Sequence, residues 1–506
     1  MTDQDPDDTL TSHLSSLNAG AERLLTLTIL WHPVLERVGE QAYARLGSAE
    51  LPLNRFAPLF ARPGGTPLAL GDRRIARDPV RLLRDAADQV TIVTPQSRMS
   101  IEVDGGVLTG ASTLSAAAIE RGVVLALGGA VLLCVHWSDH LPRFNNSATL
   151  LGVSGAVLRM HELIRQAAGT QLPVLLLGET GTGKEVAAHA IHAASARRER
   201  PMVAVNMATL SDTLAAADLF GAVKGAYTGA QTARRGWFAE AGDGTLFLDE
   251  VGNTPAAVQP MLLRVLETGT YRPLGATADL KTGARVIAAT DQDLGAGFNQ
   301  ALLRRLEGFV IRLPPLRERR EDIGLLIRHM MEEWERAGNA PAMLSTALVD
   351  ELCRYDWPGN VRQLAMVVRR ALIGAVAGQP PSFEVLVPGA PLDADTTVPL
   401  GALGDVARTV ARRIRLSEVD HDAVLAALEG NGWRVGAAAL ALGVSRPSMY
   451  KLIDDHPGIR SPAAIPLDEL NRVVAEFGDD IARCAQALKT PSEALRRHLR
   501  GVGLLG

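Results

Sequence analysis

The stretch Gly178-Glu179-Thr180-Gly181-Thr182-Gly183-Lys184 narrows the possible folds more than any other part of this chain. It follows an apolar run, Val174–Leu177, and opens a segment of helical character, Glu185–Ala194. A strand that breaks into glycines and restarts as a helix turns its backbone N–H groups toward one point. The helix N-terminus adds a field that favours anions, and the lysine reaches the outer phosphates of a bound triphosphate. This context predicts a phosphate-binding loop on a parallel α/β sheet. Further along, Gly244-Thr245-Leu246-Phe247-Leu248-Asp249-Glu250 reads as a buried strand ending in two carboxylates. Asp249 is placed to hold Mg²⁺, directly or through water, and Glu250 to polarise an attacking water. Glu185 stands where a Ser or Thr hydroxyl usually meets the metal.

The rest of the chain divides around this core. Its 506 residues predict about three domains. A net charge of -4 excludes a uniformly basic nucleic-acid coat, so DNA binding has to be local. Cys134, Cys353 and Cys484 are too few and too far apart for a disulfide framework or a zinc cluster, which fits a reducing, cytoplasmic setting. Residues 1–20 read as a polar leader without the features of an export signal. The apolar stretch Val123–Val135 is too short to span a membrane and carries Gly128-Gly129, so it predicts two strands joined at those glycines. Residues 21–143, with short alternating runs such as Leu25–Leu30, predict an all-β sandwich or barrel. Residues 149–314 predict the α/β core, 315–377 a helical cap and 378–418 a linker.

The last hundred residues predict an all-α module that repeats internally. Val435, Ala439, Leu442, Met449 and Ile453 align with Ile481, Ala485, Leu488, Leu495 and Leu499. The two copies fall in 419–460 and 465–504.

Six motifs occur in a fixed order: GETGTGKE, LFGAVKGAYTGA (Leu219–Ala230), GTLFLDEVG, VIAAT (Val286–Thr290), RLPPLRER (Arg312–Arg319) and WPGNVRQL (Trp357–Leu364). Together they resemble the AAA+ P-loop NTPase domain of bacterial sigma-54-dependent transcription activators. The resemblance implies an ATPase that uses ATP and Mg²⁺, forms a hexameric or heptameric homo-oligomer, and remodels sigma-54 RNA polymerase. It makes Glu185 the usual residue after the loop lysine. It implies that Gly225-Ala226-Tyr227-Thr228-Gly229-Ala230 touch sigma-54, with Tyr227 in place of Phe. It further implies that Asn206 restrains Glu250, that Arg362 senses the γ-phosphate from the lid, and that Arg305 reaches the neighbouring subunit's nucleotide. Three departures stand out. Asn299 and Ala301 replace the first finger arginine and an aspartate, Asp291 replaces a sensing asparagine, and Ala222-Val223 replace His-Glu.

The segment Gly430–Ile453 resembles the Fis-type helix-turn-helix of the same activators. That implies contacts to double-stranded DNA from Arg446, Ser448, Tyr450 and Lys451. The N-terminal β region resembles a forkhead-associated (FHA) sandwich, with Arg37-Val38-Gly39 and Ile75-Ala76-Arg77 as counterparts of its phosphate-contacting stretches. This implies a phosphothreonine protein as a partner, although Ala76 lacks the hydroxyl that would hold the phosphate; a different β sandwich is the alternative. No membrane partner is expected. Two other functions stay open. One is a DNA-binding regulator that binds nucleotide but turns it over weakly or not at all, and the other is an AAA+ remodelling enzyme with a different protein target.

Overall fold

Strand periodicity decides how the first part of the chain packs. The computed structural model describes residues 23–44, 49–138, 150–211, 214–227, 231–295, 297–388, 421–431, 466–478 and 481–501, with scattered positions between 433 and 465. Contacts divide the chain into two units, Met1–Val398 and Pro399–Gly506.

The first unit begins with a β sandwich. β1 (Leu24–Trp31), β2 (Gln41–Tyr43), β6 (Ile101–Val103), β7 (Gly106–Val107), β9 (Val123–Leu127) and β10 (Val131–Ser138) form a six-stranded sheet in the order β2-β1-β10-β9-β6-β7. A four-stranded sheet, β3 (Glu50–Leu53), β4 (Val80–Arg84), β5 (Val90–Val93) and β8 (Ala111–Leu114), covers one face of it. As expected, β9 and β10 meet at Gly128-Gly129, both at positive φ. Alternate side chains go to opposite faces. Leu25, Leu27, Val123, Leu125, Leu133 and Val135 fill the sandwich core. Leu30, Val124, Ala126, Leu132 and Cys134 point the other way, yet they are also buried.

What covers them is the helical cap. Ile323, Leu326 and Ile327 of the helix Ile323–Arg336 share their core, as do Leu348, Val349, Leu352 and Cys353 of Thr346–Arg354. A sheet covered on both faces reads as a continuous apolar run, which is why VVLAL is buried throughout. Arg37, read from sequence as a phosphate contact, serves the sandwich instead. It is buried, pairs with Glu40, and donates to the carbonyls of Leu68, Ala69 and Leu70.

The α/β core carries a parallel sheet of β11 (Val174–Leu177), β12 (Met202–Asn206), β13 (Thr245–Asp249), β16 (Arg285–Thr290) and β17 (Phe309–Arg312), ordered β12-β13-β16-β11-β17. A short hairpin pairs β14 (Thr270–Tyr271) with β15 (Leu280–Lys281). Separate apolar clusters lie on the two faces of the parallel sheet. Its central strand, RVIAAT, is fully buried.

The cap continues with the helix Asn360–Val376. The stretch expected to be linker from Gly378 begins instead with a helical turn, Phe383–Leu386, whose Phe383 and Leu386 fill the cap core. Between β17 and the first cap helix, Glu321 lies buried with its carboxyl 3.8 Å from His136 Nδ1 on β10. Burial, and then repulsion from Asp322, raises the Glu321 pKa. A carboxyl whose folded pKa is raised costs stability increasingly as pH climbs above the ordinary carboxylate range. Glu321→Gln removes that cost. Its melting temperature should exceed the wild type's by about 2 °C or more at pH 8, with a smaller gap at pH 5. A gap that does not widen with pH would contradict this account.

In the second unit, the described helices are His421–Gly430, Leu467–Phe477, Ile481–Leu488 and Ser492–Gly501. The positions matched between repeats share one core: Val435, Ala439, Met449 and Ile453 with Ile481, Ala485, Leu488, Leu495 and Leu499. Ser492 ties the copies together, donating from its backbone N–H to the Trp433 carbonyl at 2.9 Å.

Candidate functional site: a phosphate loop roofed by the cap

The loop after β11 takes the shape its glycines allow. Gly181 and Gly183 sit at φ +81 and +103, where other residues are strained. At Gly181 a Cβ would lie 2.4 Å from the Gly359 carbonyl, so the cap rests directly on the loop. Thr182 is buried and donates to the Glu179 carbonyl at 2.8 Å. Lys184 opens the helix Lys184–Ala194, and its ammonium donates to the carbonyls of Gly178 (2.7 Å) and Glu179 (3.2 Å).

Charge converges on this lysine. Burial lowers the Lys184 pKa, while Asp291, Asp249 and Glu250 oppose the shift and Arg362 adds to it. Asp249, at the end of β13, is half-buried, and that burial raises its pKa against the pull of Lys184 and Arg362. The exposed Glu185, one residue into the helix, adds to that rise by charge repulsion. Sequence-predicted residues far apart in the chain thus come within electrostatic reach of one another: Lys184, Glu185, Asp249, Glu250 and Arg362. A triphosphate with Mg²⁺ fits this donor set. The lysine is satisfied only by carbonyls that phosphate oxygens can replace, and Asp249 offers a half-buried carboxylate for the metal.

Other predicted residues behave differently. Asn206 lies beside Asp249 in register, but its side-chain oxygen accepts from the Ala208 N–H and caps a short turn. The described bond to Glu250 comes from Asn253, whose Nδ2 donates to Oε2 at 3.2 Å. Gln292 in turn holds Asn253 at 2.9 Å. No motif had marked Asn253; its place three residues after Glu250, past a tight turn, was the available signal. Arg305 is exposed and pairs with Glu267 at 3.4 Å. Asn299 caps the helix Gln300–Leu306 through its side-chain oxygen, so the residue that replaces the first finger has a structural task. Asp291 accepts from the Thr180 hydroxyl at 2.6 Å and so touches the loop itself.

Two further residues were missed. Arg317 grips Glu179 through two bonds, 2.9 and 2.7 Å, and holds that carboxyl below its ordinary range. Asn360, fully buried at φ 51, donates to Glu179 and to the Thr180 carbonyl and accepts from the Leu316 N–H. Both lie inside the RLPPLRER and WPGNVRQL motifs, but only the contacts reveal what they do.

In the described part of the GAYTGA segment, Gly225 has φ +80 and Tyr227 is 37% exposed. Thr228, Gly229 and Ala230 lie outside the described residues, as do Arg446, Ser448, Tyr450 and Lys451.

The sequence profile of the Sigma-54 interaction domain matches residues 150–313, and that of the AAA+ ATPase lid domain matches 317–386. The transcriptional regulatory protein ZraR of Escherichia coli K12 is 39% identical over 307 residues, covering 59% of this chain and 67% of ZraR. This chain belongs to the sigma-54-dependent transcriptional regulators. The DNA-binding transcriptional regulator NtrC of Azospirillum brasilense is 44% identical over 226 residues, covering 44% of this chain and 47% of NtrC. The chain therefore spans about half the length of that relative. The crystal structure of NtrX from Brucella abortus in complex with ADP aligns with a TM-score of 0.44 at 26% identity, over 71% of this chain and 70% of that one. The two family models together cover the AAA+ core and its lid. No helix among the described residues is long and apolar enough to cross a membrane.

Proposed function

We propose that this chain hydrolyses ATP in an AAA+ ring and uses the energy to remodel sigma-54 RNA polymerase, while its C-terminal helices hold double-stranded DNA. The observation that carries this reading is the loop itself: the Lys184 ammonium lies on the Gly178 and Glu179 carbonyls, Asp249, Glu250 and Arg362 act on its charge, and Gly359 of the lid rests on Gly181. Backbone amides of residues 181–184 and the Lys184 ammonium grip the phosphates. Asp249 holds Mg²⁺, which would neutralise charge as the terminal phosphate departs. Glu250 orients water, and Asn253 holds Glu250 in place. Arg305 serves the neighbouring subunit, consistent with its exposed position, so catalysis requires assembly. The Gly225–Ala230 loop, with Tyr227 at its tip, presses on sigma-54. Arg446, Ser448, Tyr450 and Lys451 contact DNA, and the N-terminal sandwich acts as the sensing module in a cytoplasmic protein.

Phosphate release measured against protein concentration tests this reading. Turnover per chain should rise steeply as chains associate. Lack of ATP binding at millimolar nucleotide, or no turnover at any concentration, would overturn it; binding without turnover would favour a nucleotide-binding regulator that is not an ATPase.

Asp291 gives a second handle. Its carboxylate lies against Thr180, where a third phosphate brings added negative charge. Asp291→Asn should favour ATP over ADP by about fivefold relative to wild type, the order expected from one partly solvated charge contact. Competition titration of the two nucleotides reads that ratio, and an unchanged ratio would place Asp291 outside the γ-phosphate's reach.

A further inference from the structure

Within the segment Arg317–Asp322, Arg317 and Arg319 touch the phosphate loop, and Arg320 and Glu321 touch the β sandwich. Arg317 grips Glu179 in the loop. Arg319 is 3% exposed, and its Nη2 donates to the Thr182 carbonyl at 3.2 Å while its Nε has no partner. Arg320 turns the other way. Its Nη1 lies 3.4 Å from the Gly122 carbonyl, just before β9, and its Nη2 donates to Asp356 at 2.7 Å. Glu321 faces His136 on β10. Asp322, fully buried, accepts from the N–H groups of Val153 and Ser154 and from the Ser154 hydroxyl, and so clamps the start of the helix Gly155–Ala168. Two residues later, Gly324 abuts the Leu30 carbonyl of β1.

We propose that Arg319 is a positioning residue for the phosphate loop, and that the segment Arg317–Asp322 couples nucleotide occupancy to the seam between the β sandwich and the lid. The proposal rests on the reading that this loop takes a nucleoside triphosphate. A loop that offers N–H groups to phosphate must turn its carbonyls inward. Arg319 holds one of them, that of Thr182, two residues before Lys184. The bond lies out of water, where its strength is not shared with solvent. The spare Nε gives the guanidinium a second donor when the loop shifts. Because Arg319 and Arg320 are neighbours on one tight turn, a shift at Thr182 is passed to the contact with Gly122. Coupling of this kind is reciprocal: whatever tightens or loosens the seam changes nucleotide affinity by the same factor. The sandwich would then act on the site without contacting nucleotide.

Two cysteines report on the seam. Cys134 on β10 and Cys353 on the helix Thr346–Arg354 are both buried in the shared core and carry no disulfide. Cys484 belongs to the second unit and serves as a control. The full chain is treated with a small alkylating reagent, with and without saturating ADP or a non-hydrolysable ATP analogue. Mass spectrometry follows each cysteine, and a parallel fluorescence titration measures nucleotide binding. Nucleotide should slow labelling of Cys134 and Cys353 by about fivefold or more, the lower end of ordinary coupling, and leave Cys484 unchanged. Arg319→Met keeps length and burial but removes the donors. It should bind nucleotide more weakly and, at saturating nucleotide, lose the slowing. Nucleotide binding with no change at Cys134 and Cys353 in the wild type overturns the coupling and leaves the ATP-binding reading intact. Equal slowing in wild type and Arg319→Met overturns the role of Arg319. No nucleotide binding at all overturns the ATP-binding reading, and this proposal with it. The wild-type comparison decides the coupling even where Arg319→Met fails to accumulate.

Discussion

Lys184→Ala is expected to weaken ATP binding roughly a hundredfold, the effect of losing charge-assisted hydrogen bonds worth about 3 kcal/mol. The ammonium is the one positive side chain in the loop, and the carbonyls it now touches belong to the same seven-residue loop. Removing it leaves the backbone amides to bind phosphate alone. Glu250→Gln should behave differently. The amide keeps its place beside Asn253 but cannot draw a proton from water. Binding should stay within a few-fold of wild type while turnover drops by about 10²-fold or more, as for loss of a general base. Nucleotide titration and single-turnover hydrolysis on both variants separate these outcomes. If Glu250→Gln lost binding and kept turnover per bound nucleotide, the division of labour at the site would be wrong.

The second large effect is on stability. A Cβ added at Gly324 would lie 2.0 Å from the carbonyl of Leu30, which is backbone at a bulge in β1 and not the movable end of a side chain. Gly324→Ala should therefore cost about 3 kcal/mol or more, although alanine is the better helix former. Urea unfolding followed by circular dichroism measures it. As a comparison, Gly338→Ala meets no atom within 4 Å but sits at φ +84, so its cost should come from the backbone alone. A neutral Gly324→Ala would mean that β1 and the lid helix are not in contact in solution.

Much of the parallel core was legible because its signals are local. The loop glycines, the strand before them and the two acids after LFL each carry their meaning within a few residues. In the last hundred residues, the described positions of the matched apolar set lie in one core, while Leu442 lies outside the described residues. What stayed hidden was tertiary. Nothing in VVLAL says that one face of the strand belongs to the sandwich and the other to helices some two hundred residues later. Arg37 looked like a phosphate contact because an exposed and a buried arginine are spelled alike; only the carbonyls of Leu68–Leu70 give away its task. Asn299 looked like a lost catalytic group, and it is also a helix cap. Arg319 sat inside a motif used only to name the family.

The doubly covered sheet limits how this protein can be taken apart. Trimming the chain back to the AAA+ core and lid would strip the cover from Ile323, Ile327, Val349 and Leu352 and leave a sticky wall open to solvent. The β sandwich thus walls the lid as well as itself, and a truncation that removed it would also deprive the lid of a side.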